Sequence, residues 1–579
     1  MKSKVGSMRN LKEKIDVICV ESCPEAEEAC RIAMCRTAEI ILSSGWEQSE
    51  LRLSFLKSES SGFSLEIRGN DIVIRAGMTR EFIAGVGSLL SRIRLASDSS
   101  MRLADGIHEE IPEHPDRIHY MPGHFGNSFE VAWPGEMERY FEDLALWGTS
   151  GYGDWFDPND MPDPYAPHVF CSSSMSLWQR KKEFLRIAKR LGMDTSLWLA
   201  HNVGFVDQMR PEWTGVRSHK HRVQGQVLCA SIPEARRVCL QNQENLFKDL
   251  VASGVVIDRL NYGPYDDGGC ACPKCQPYYP TFLKLIEEIH GIARRYFPKV
   301  TMDLCGWWVT DEEMRLIREF ISGPARDWFR AFQFSATYNV FELPDLRSSL
   351  GNLPLSTFFH IGFSRENKDV YFKTGIHSAP RRIQSVIRSF RAQRCLGFNS
   401  YNESFGDHYN EFLCSRIGRV PGADIKALTE DYCREMFALR GKDLMAAVDV
   451  LLEMEELDSS KAEKWQVALE RIRPRVHTPP RQQWAFEHFR HKAGLMVLDH
   501  KIGTGNEWKT KDDVAPVLPL ILERFALQEI LWRDVYGLGV LRHAFIPERM
   551  SAPWYNNYIM VYPENTGNIH PGATISKNA

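Results

Sequence analysis

Two hydrophobic periods alternate along the chain, one of about 2 residues and one of about 3.6, and their order predicts the fold. Near the start, Val17-Ile18-Cys19-Val20 reads as a strand and 25–42 as a helix. Segments 52–56, 64–67 and 71–75 alternate like half-buried strands, the last after the turn-forming pair Gly69-Asn70. A helix is expected over 79–93, opening at a Thr cap. The polar, proline-containing stretch 109–116 reads as a linker. Beyond it, short apolar runs at 117–121, 151–156, 195–200, 259–262, 301–307, 331–335, 357–362 and 396–401 alternate with amphipathic stretches such as 134–147, 177–191, 232–253 and 279–296. Eight such strands in about 300 residues predict a (β/α)8 TIM barrel. After 420 the pattern is helical, over 424–439, 442–457, 461–472, 482–501 and 517–537, and from 551 it is irregular. The expected architecture is α/β in three parts: an N-terminal α/β domain (1–112), the barrel (113–420) and a mostly α-helical C-terminal domain (421–579).

Composition narrows the classes. The chain of 579 residues is 43% hydrophobic and 25% charged, which excludes a disordered or fibrous protein. A net charge of −4 provides no field for nucleic acid or anionic lipid. No apolar run reaches the roughly 18 residues that span a bilayer. No apolar segment follows the basic start either, so a cytoplasmic protein is expected. The 14 cysteines are scattered, as in a reducing compartment, except for one cluster. The 15 Trp and 18 Tyr suit either a large core or a sugar-binding cleft, where flat rings pack on pyranose faces.

A TIM-barrel site lies at the C-terminal strand ends, so polar residues there form the search set. They are Asp154, Trp155 and Asp157 (strand 2), His201 and Asn202 (strand 3), and Asn261, Tyr262, Tyr265, Asp266 and Asp267 (strand 4). Strands 5 to 7 add Trp307, Trp308, Tyr338, Asn339 and His360, and strand 8 adds Asn399, Tyr401, Asn402 and Glu403. The set has no Ser-His-Asp order, phosphate-cradling Gly loop or His-Glu-x-x-His pair. Carboxylates with aromatic walls and amides are what glycoside cleavage needs. In Asp266-Asp267, mutual repulsion raises one pKa and favours a general acid, although Asp-Asp-Gly-Gly is also good turn chemistry. Glu403 is placed as a second carboxylate or as a helix-start residue. Asp154, Trp155, His201, Asn202, Asn261, Tyr262, Trp307, Tyr338, His360 and Tyr401 are the candidate substrate contacts. Cys270, Cys272 and Cys275, in a Cys-x-Cys-x-x-Cys array, could hold a structural zinc with a fourth ligand such as Cys305, Cys171 or a His, could be free thiols, or could have a redox or disulfide role. Catalysis itself is expected to need no cofactor, and the expected partner is a carbohydrate, with a homodimer possible and no nucleic acid or membrane.

The segments Asp71-Ile72-Val73-Ile74-Arg75 and 82–90 resemble the small α/β domain before the barrel in α-glucuronidases and β-N-acetylhexosaminidases. Residues 140–148 resemble the first barrel helix of that group, and Asp266-Asp267-Gly268-Gly269-Cys270-Ala271-Cys272-Pro273-Lys274-Cys275 is similar to a segment of related barrel glycosidases. Asn402-Glu403 to Glu411-Phe412, with 431–437, resembles their strand-8 end and helical continuation. The resemblance implies a glycoside hydrolase acting at a chain end, on an N-acetylhexosaminide before others. In hexosaminidases the strand-4 acidic pair orients the substrate acetamide and protonates the leaving group. By that resemblance Asp266 orients and Asp267 protonates. An α-glucuronidase-like enzyme, with Arg365 and Lys373 holding a uronate, and a non-catalytic carbohydrate-binding barrel are the alternatives.

Overall fold

The structure is a computed structural model that describes residues 8–9, 16–44, 50–99, 102–123, 128–156, 158, 161–166, 173–217, 226–264, 268–306, 309–323, 325–337, 351–362, 376–402, 404–476, 483–530, 554, 557–558 and 561. The N-terminal sheet uses β1 (Met8–Arg9), β2 (Asp16–Glu21), β3 (Glu50–Lys57), β4 (Phe63–Arg68), β5 (Asp71–Ala76) and β6 (Gly106–Glu110) in the order β1-β2-β3-β5-β4-β6. The stretch read as a linker begins as β6, where Glu109 and Glu110 pair with Ser64 and Phe63. This edge strand exposes Ile107 and so lacks the alternation of a half-buried strand.

Helices α1 (Glu27–Ser44) and α2 (Thr79–Ser99) accompany the sheet. Phe82, Ile83, Val86, Leu89, Leu90 and Ile93 of α2 are fully buried, spaced as one helical face. Gly87 lets α2 also touch the barrel, because a Cβ there would fall 1.9 Å from the Leu146 carbonyl oxygen.

Eight parallel strands close into a barrel: β7 (Asp116–Tyr120), β8 (Gly151–Phe156), β9 (Asp194–Leu199), β10 (Arg259–Tyr262), β11 (Thr301–Cys305), β12 (Phe329–Thr337), β13 (Leu355–His360) and β14 (Gly397–Tyr401). Helices α3 (Pro134–Leu146), α4 (Ser173–Arg190), α5 (Pro233–Ala252), α6 (Tyr278–Tyr296), α7 (Asp311–Ser322), α8 (Pro380–Ala392) and α9 (His408–Arg419) lie between and after the strands. Every residue of β8 is buried, as expected for a parallel strand covered on both faces.

The N-terminal end of the barrel interior is charged. Asp116, at the start of β7, pairs with Arg259 at 3.0 Å and with Arg330. Arg259 also reaches Asp194 at 2.6 Å. Although burial opposes its charge, these guanidinium groups hold the Asp116 carboxyl below the usual carboxylate range. At the other side of the barrel wall, Arg419 of α9 reaches back to Glu81 at 2.8 Å and to Glu110, with its guanidinium over the ring of Phe63.

The C-terminal part contains α10 (Ile425–Phe437), α11 (Gly441–Glu453), α12 (Ala462–Ile472), α13 (Gln483–Ile502), α14 (Lys511–Val514) and α15 (Leu518–Ile530). Phe437 stacks on Phe489 of α13 at 5.7 Å. Fully buried Lys492 of α13 donates to the Ile376 carbonyl at 2.9 Å, tying this layer to the segment before α8. Among the described residues, no helix is long and apolar enough to cross a membrane.

Candidate active site

The inward positions near the C-terminal strand ends form an aromatic floor. Tyr120, Trp155, Trp198, Cys305, Phe358 and Tyr401 make one buried cluster. Tyr120 lies 5.3 Å from Trp198, 5.7 Å from Phe358 and 5.7 Å from Tyr401, ring centre to ring centre. His360, partly exposed at the end of β13, packs on Phe358 at 5.0 Å and Tyr401 at 5.2 Å. Rings with polar edges can carry a sugar face, and this is the end where barrel sites are built. Trp155, Tyr401 and His360, all candidate substrate contacts, are thus brought together here.

Other candidates face elsewhere. Asp154 is buried and pairs with Lys181 of α4 at 3.0 Å, while accepting the Tyr152 hydroxyl at 2.5 Å. Tyr262 donates its hydroxyl to Gln243 of α5 at 3.2 Å, between strand and helix. The Asn261 amide lies inside the barrel, donating to Ser196 at 2.5 Å and accepting from Gln333 at 3.0 Å. Gln333 also donates to Asp303 at 3.0 Å, a carboxyl that burial pushes up. His201 meets the Tyr278 hydroxyl at 2.5 Å and packs on Phe282. Fully buried Asn202 accepts from the Gly269 N–H at 2.9 Å and donates to the carbonyls of Gly269 and Leu228 at 3.0 and 2.8 Å. Asn202 therefore binds together the loops that follow β9 and β10. Gly268 fits because it has no side chain: a Cβ would fall 2.3 Å from His201.

Asp157, Tyr265, Asp266, Asp267, Trp307, Trp308, Tyr338, Asn339, Arg365, Lys373 and Glu403 lie outside the described residues. Their chain positions are still informative for the acidic pair and Glu403. Asp266-Asp267 follow β10 and Glu403 follows β14, and these strands are four places apart in a ring of eight. The ends of β10 and β14 therefore lie on opposite sides of the barrel mouth.

The described residues after Glu403 form a braced turn. Asp407 accepts from the Ser404 N–H at 3.2 Å and pairs with His377. The Gly406 carbonyl accepts from the His377 N–H at 2.8 Å. Before Glu403, Asn402 bonds to the Tyr120 carbonyl through its backbone N–H at 3.0 Å and its amide at 3.2 Å. His377 carries no sequence signal, being 30 residues from its partner. Behind this turn, Glu411 accepts the Tyr140 hydroxyl, and burial holds its carboxyl well above the usual range.

Cys270, Cys272 and Cys275 converge, and the fourth thiol within reach is Cys229, which sequence reasoning missed. Its Sγ lies 3.7 Å from each of the other three. Cys305 instead belongs to the aromatic floor, and Cys171 lies outside the described residues.

A closed parallel barrel behind an α/β sheet layer, continued by a helical C-terminal layer, is a three-part TIM-barrel fold. Solved structures place the chain in that fold. A family 89 glycoside hydrolase from Clostridium perfringens in complex with PUGNAc matches 90% of this chain and 67% of its own, with a TM-score of 0.58 and 11% identity. The same family 89 enzyme with its substrate GlcNAc-alpha-1,4-galactose matches 88% and 67%, with a TM-score of 0.55 and 13% identity. A family 138 enzyme targeting pectin rhamnogalacturonan II matches 91% and 70%, with a TM-score of 0.53 and 10% identity. Likeness at this identity shows a shared fold. No protein-family profile and no curated sequence matches the chain.

Proposed function

We propose that this protein is an exo-acting glycoside hydrolase that removes a terminal sugar, with an N-acetylhexosaminide as its substrate. The observation that carries this reading is the aromatic floor at the C-terminal mouth of a closed barrel. In this reading the floor and His360 receive the sugar face. Asp267 protonates the leaving oxygen, Asp266 orients the acetamide for attack on its own anomeric carbon, and Glu403 accepts from a sugar hydroxyl. The amino sugar is favoured by the acidic pair after β10 and by the GlcNAc-containing substrate of the family 89 enzyme that shares the fold.

A panel of aryl glycosides tests the reading: α- and β-linked N-acetylglucosamine and N-acetylgalactosamine, and α-linked glucuronic acid. Cleavage of an N-acetylhexosaminide is expected. Cleavage of the uronide alone would replace it with an α-glucuronidase. Binding of intact sugars without cleavage of any member would make the chain a carbohydrate-binding barrel.

A further inference from the structure

We propose that Cys229, Cys270, Cys272 and Cys275 are the four ligands of a structural zinc ion that staples the loop after β9 to the loop after β10. The spacing fits the ion. A tetrahedral zinc with Zn–S bonds of about 2.3 Å has S–S edges of about 3.8 Å. Three of the observed separations are 3.7 Å, and all four sulfurs lie within 4.8 Å of one another. A disulfide would need about 2.05 Å and could join only two of them. Tetrahedral sulfur coordination selects zinc or iron among common metals.

The backbone brings the four thiols to one point. Cys272 and Cys275 flank a tight turn in which the Cys272 carbonyl accepts from the N–H groups of Cys275 at 3.0 Å and Gln276 at 3.1 Å. The N–H of Ala271 donates to the Val216 carbonyl at 2.7 Å, joining this turn to the preceding loop. The Cys229 N–H donates to the Trp213 carbonyl at 2.8 Å in that same loop. Donors also face the sulfurs, as thiolate charge requires: the Val216 N–H lies 3.4 Å from Cys270 Sγ, and Ser231 Oγ lies 3.1 Å from Cys229 Sγ. Cys229, Cys270 and Cys275 are buried, and Cys272 is partly exposed, giving the ion a route in. Binding displaces the thiol protons to solvent and leaves four thiolates around one divalent ion.

The position gives the ion its task. Asn202 already holds Leu228 and Gly269, the residues immediately before Cys229 and Cys270. The ion completes this clamp three residues beyond Asp267. It thus restrains the segment that leads out of β10 without taking part in bond cleavage. The zinc site rests on the thiol geometry alone and does not depend on the hydrolase reading.

Protein purified under reducing conditions is expected to carry one zinc per chain by elemental mass spectrometry. Cys229→Ser and Cys272→Ser should each weaken zinc binding by more than about 100-fold, beyond the 10–100-fold typical of residues that only orient a ligand. Cys239→Ser, at a buried thiol of α5 outside the cluster, should leave zinc content unchanged. If the serine variants fail to fold, cobalt in the wild-type protein provides a second readout: intense thiolate-to-cobalt charge transfer and tetrahedral ligand-field bands. Folded, metal-free protein after zinc supplementation, a disulfide within the four, or an octahedral cobalt spectrum would overturn the site. One iron in place of zinc would overturn the ion's identity. Bound zinc in a protein inactive on every glycoside would support the site and count only against the hydrolase.

Discussion

The two ends of the barrel interior are built from opposite chemistry. At the N-terminal end, Asp116, Asp194, Arg259 and Arg330 lock to one another. At the C-terminal end the described lining is aromatic. Charges paired this tightly are committed to one another, and breaking one pair strands the others in a low dielectric. Rings packed on one another near the strand ends need no such charge partners. The contrast assigns stability to the charged end and, under the proposed function, sugar recognition to the aromatic one.

The largest expected effect is at the charged end. Arg259→Met leaves Asp116 and Asp194 without their shared partner and should cost about 3–5 kcal/mol in urea unfolding, with turnover per folded molecule unchanged. For the proposed general acid, Asp267→Asn should lower turnover by at least about 10²-fold and leave the unfolding midpoint in place. Equal effects of both variants on turnover would erase the division. Acid compares the charged end with two histidines buried between the barrel wall and its helices, His119 against Ser415 and His408 against Trp147 and Trp484. Burial pushes His119 down to about 3 and His408 down to about 4. An unfolded His has a pKa near 6.5, so below that pH the unfolded chain binds protons that these folded rings refuse. Stability should therefore be intact above about pH 6.5 and fall as pH drops toward 4. The Asp116 pairs, whose carboxyl is held below its ordinary value, should give way only below about pH 4. Urea midpoints measured from pH 7 to pH 3 should show two stages, and a single loss below pH 4 would refute the histidine contribution. The smallest effect is expected for Tyr262→Phe, about 1 kcal/mol in stability from the lost bond to Gln243 and none in turnover. A tenfold fall in turnover would return Tyr262 to the substrate site.

Strand positions were legible because parallel strands are apolar on both faces. Segments 151–156 and 259–262 are β8 and β10 residue for residue. The same property hid which way each side chain points. Asp154 and Trp155 are neighbours in a wholly buried strand, and no alternation marks Asp154 as facing α4 while Trp155 faces the interior. Tyr262 and Asn261 repeat the problem on β10. The strand expected at 357–362 begins two residues earlier, at Leu355 of β13. Three clustered thiols showed in the spacing, but Cys229 stands 41 residues before Cys270 and only the folded loops make them neighbours. Gly-Ile-His-Glu-Glu did not announce β6, because an edge strand needs no apolar face.

Arg419 closes the last helix of the ring, yet its counter-ions, Glu81 and Glu110, come from the first hundred or so positions. The small sheet is thus not a detachable module. A shortened version starting at the first barrel strand would strand a guanidinium in an apolar seam, and transplanting the barrel onto another leader would require a new pair of acids at that seam.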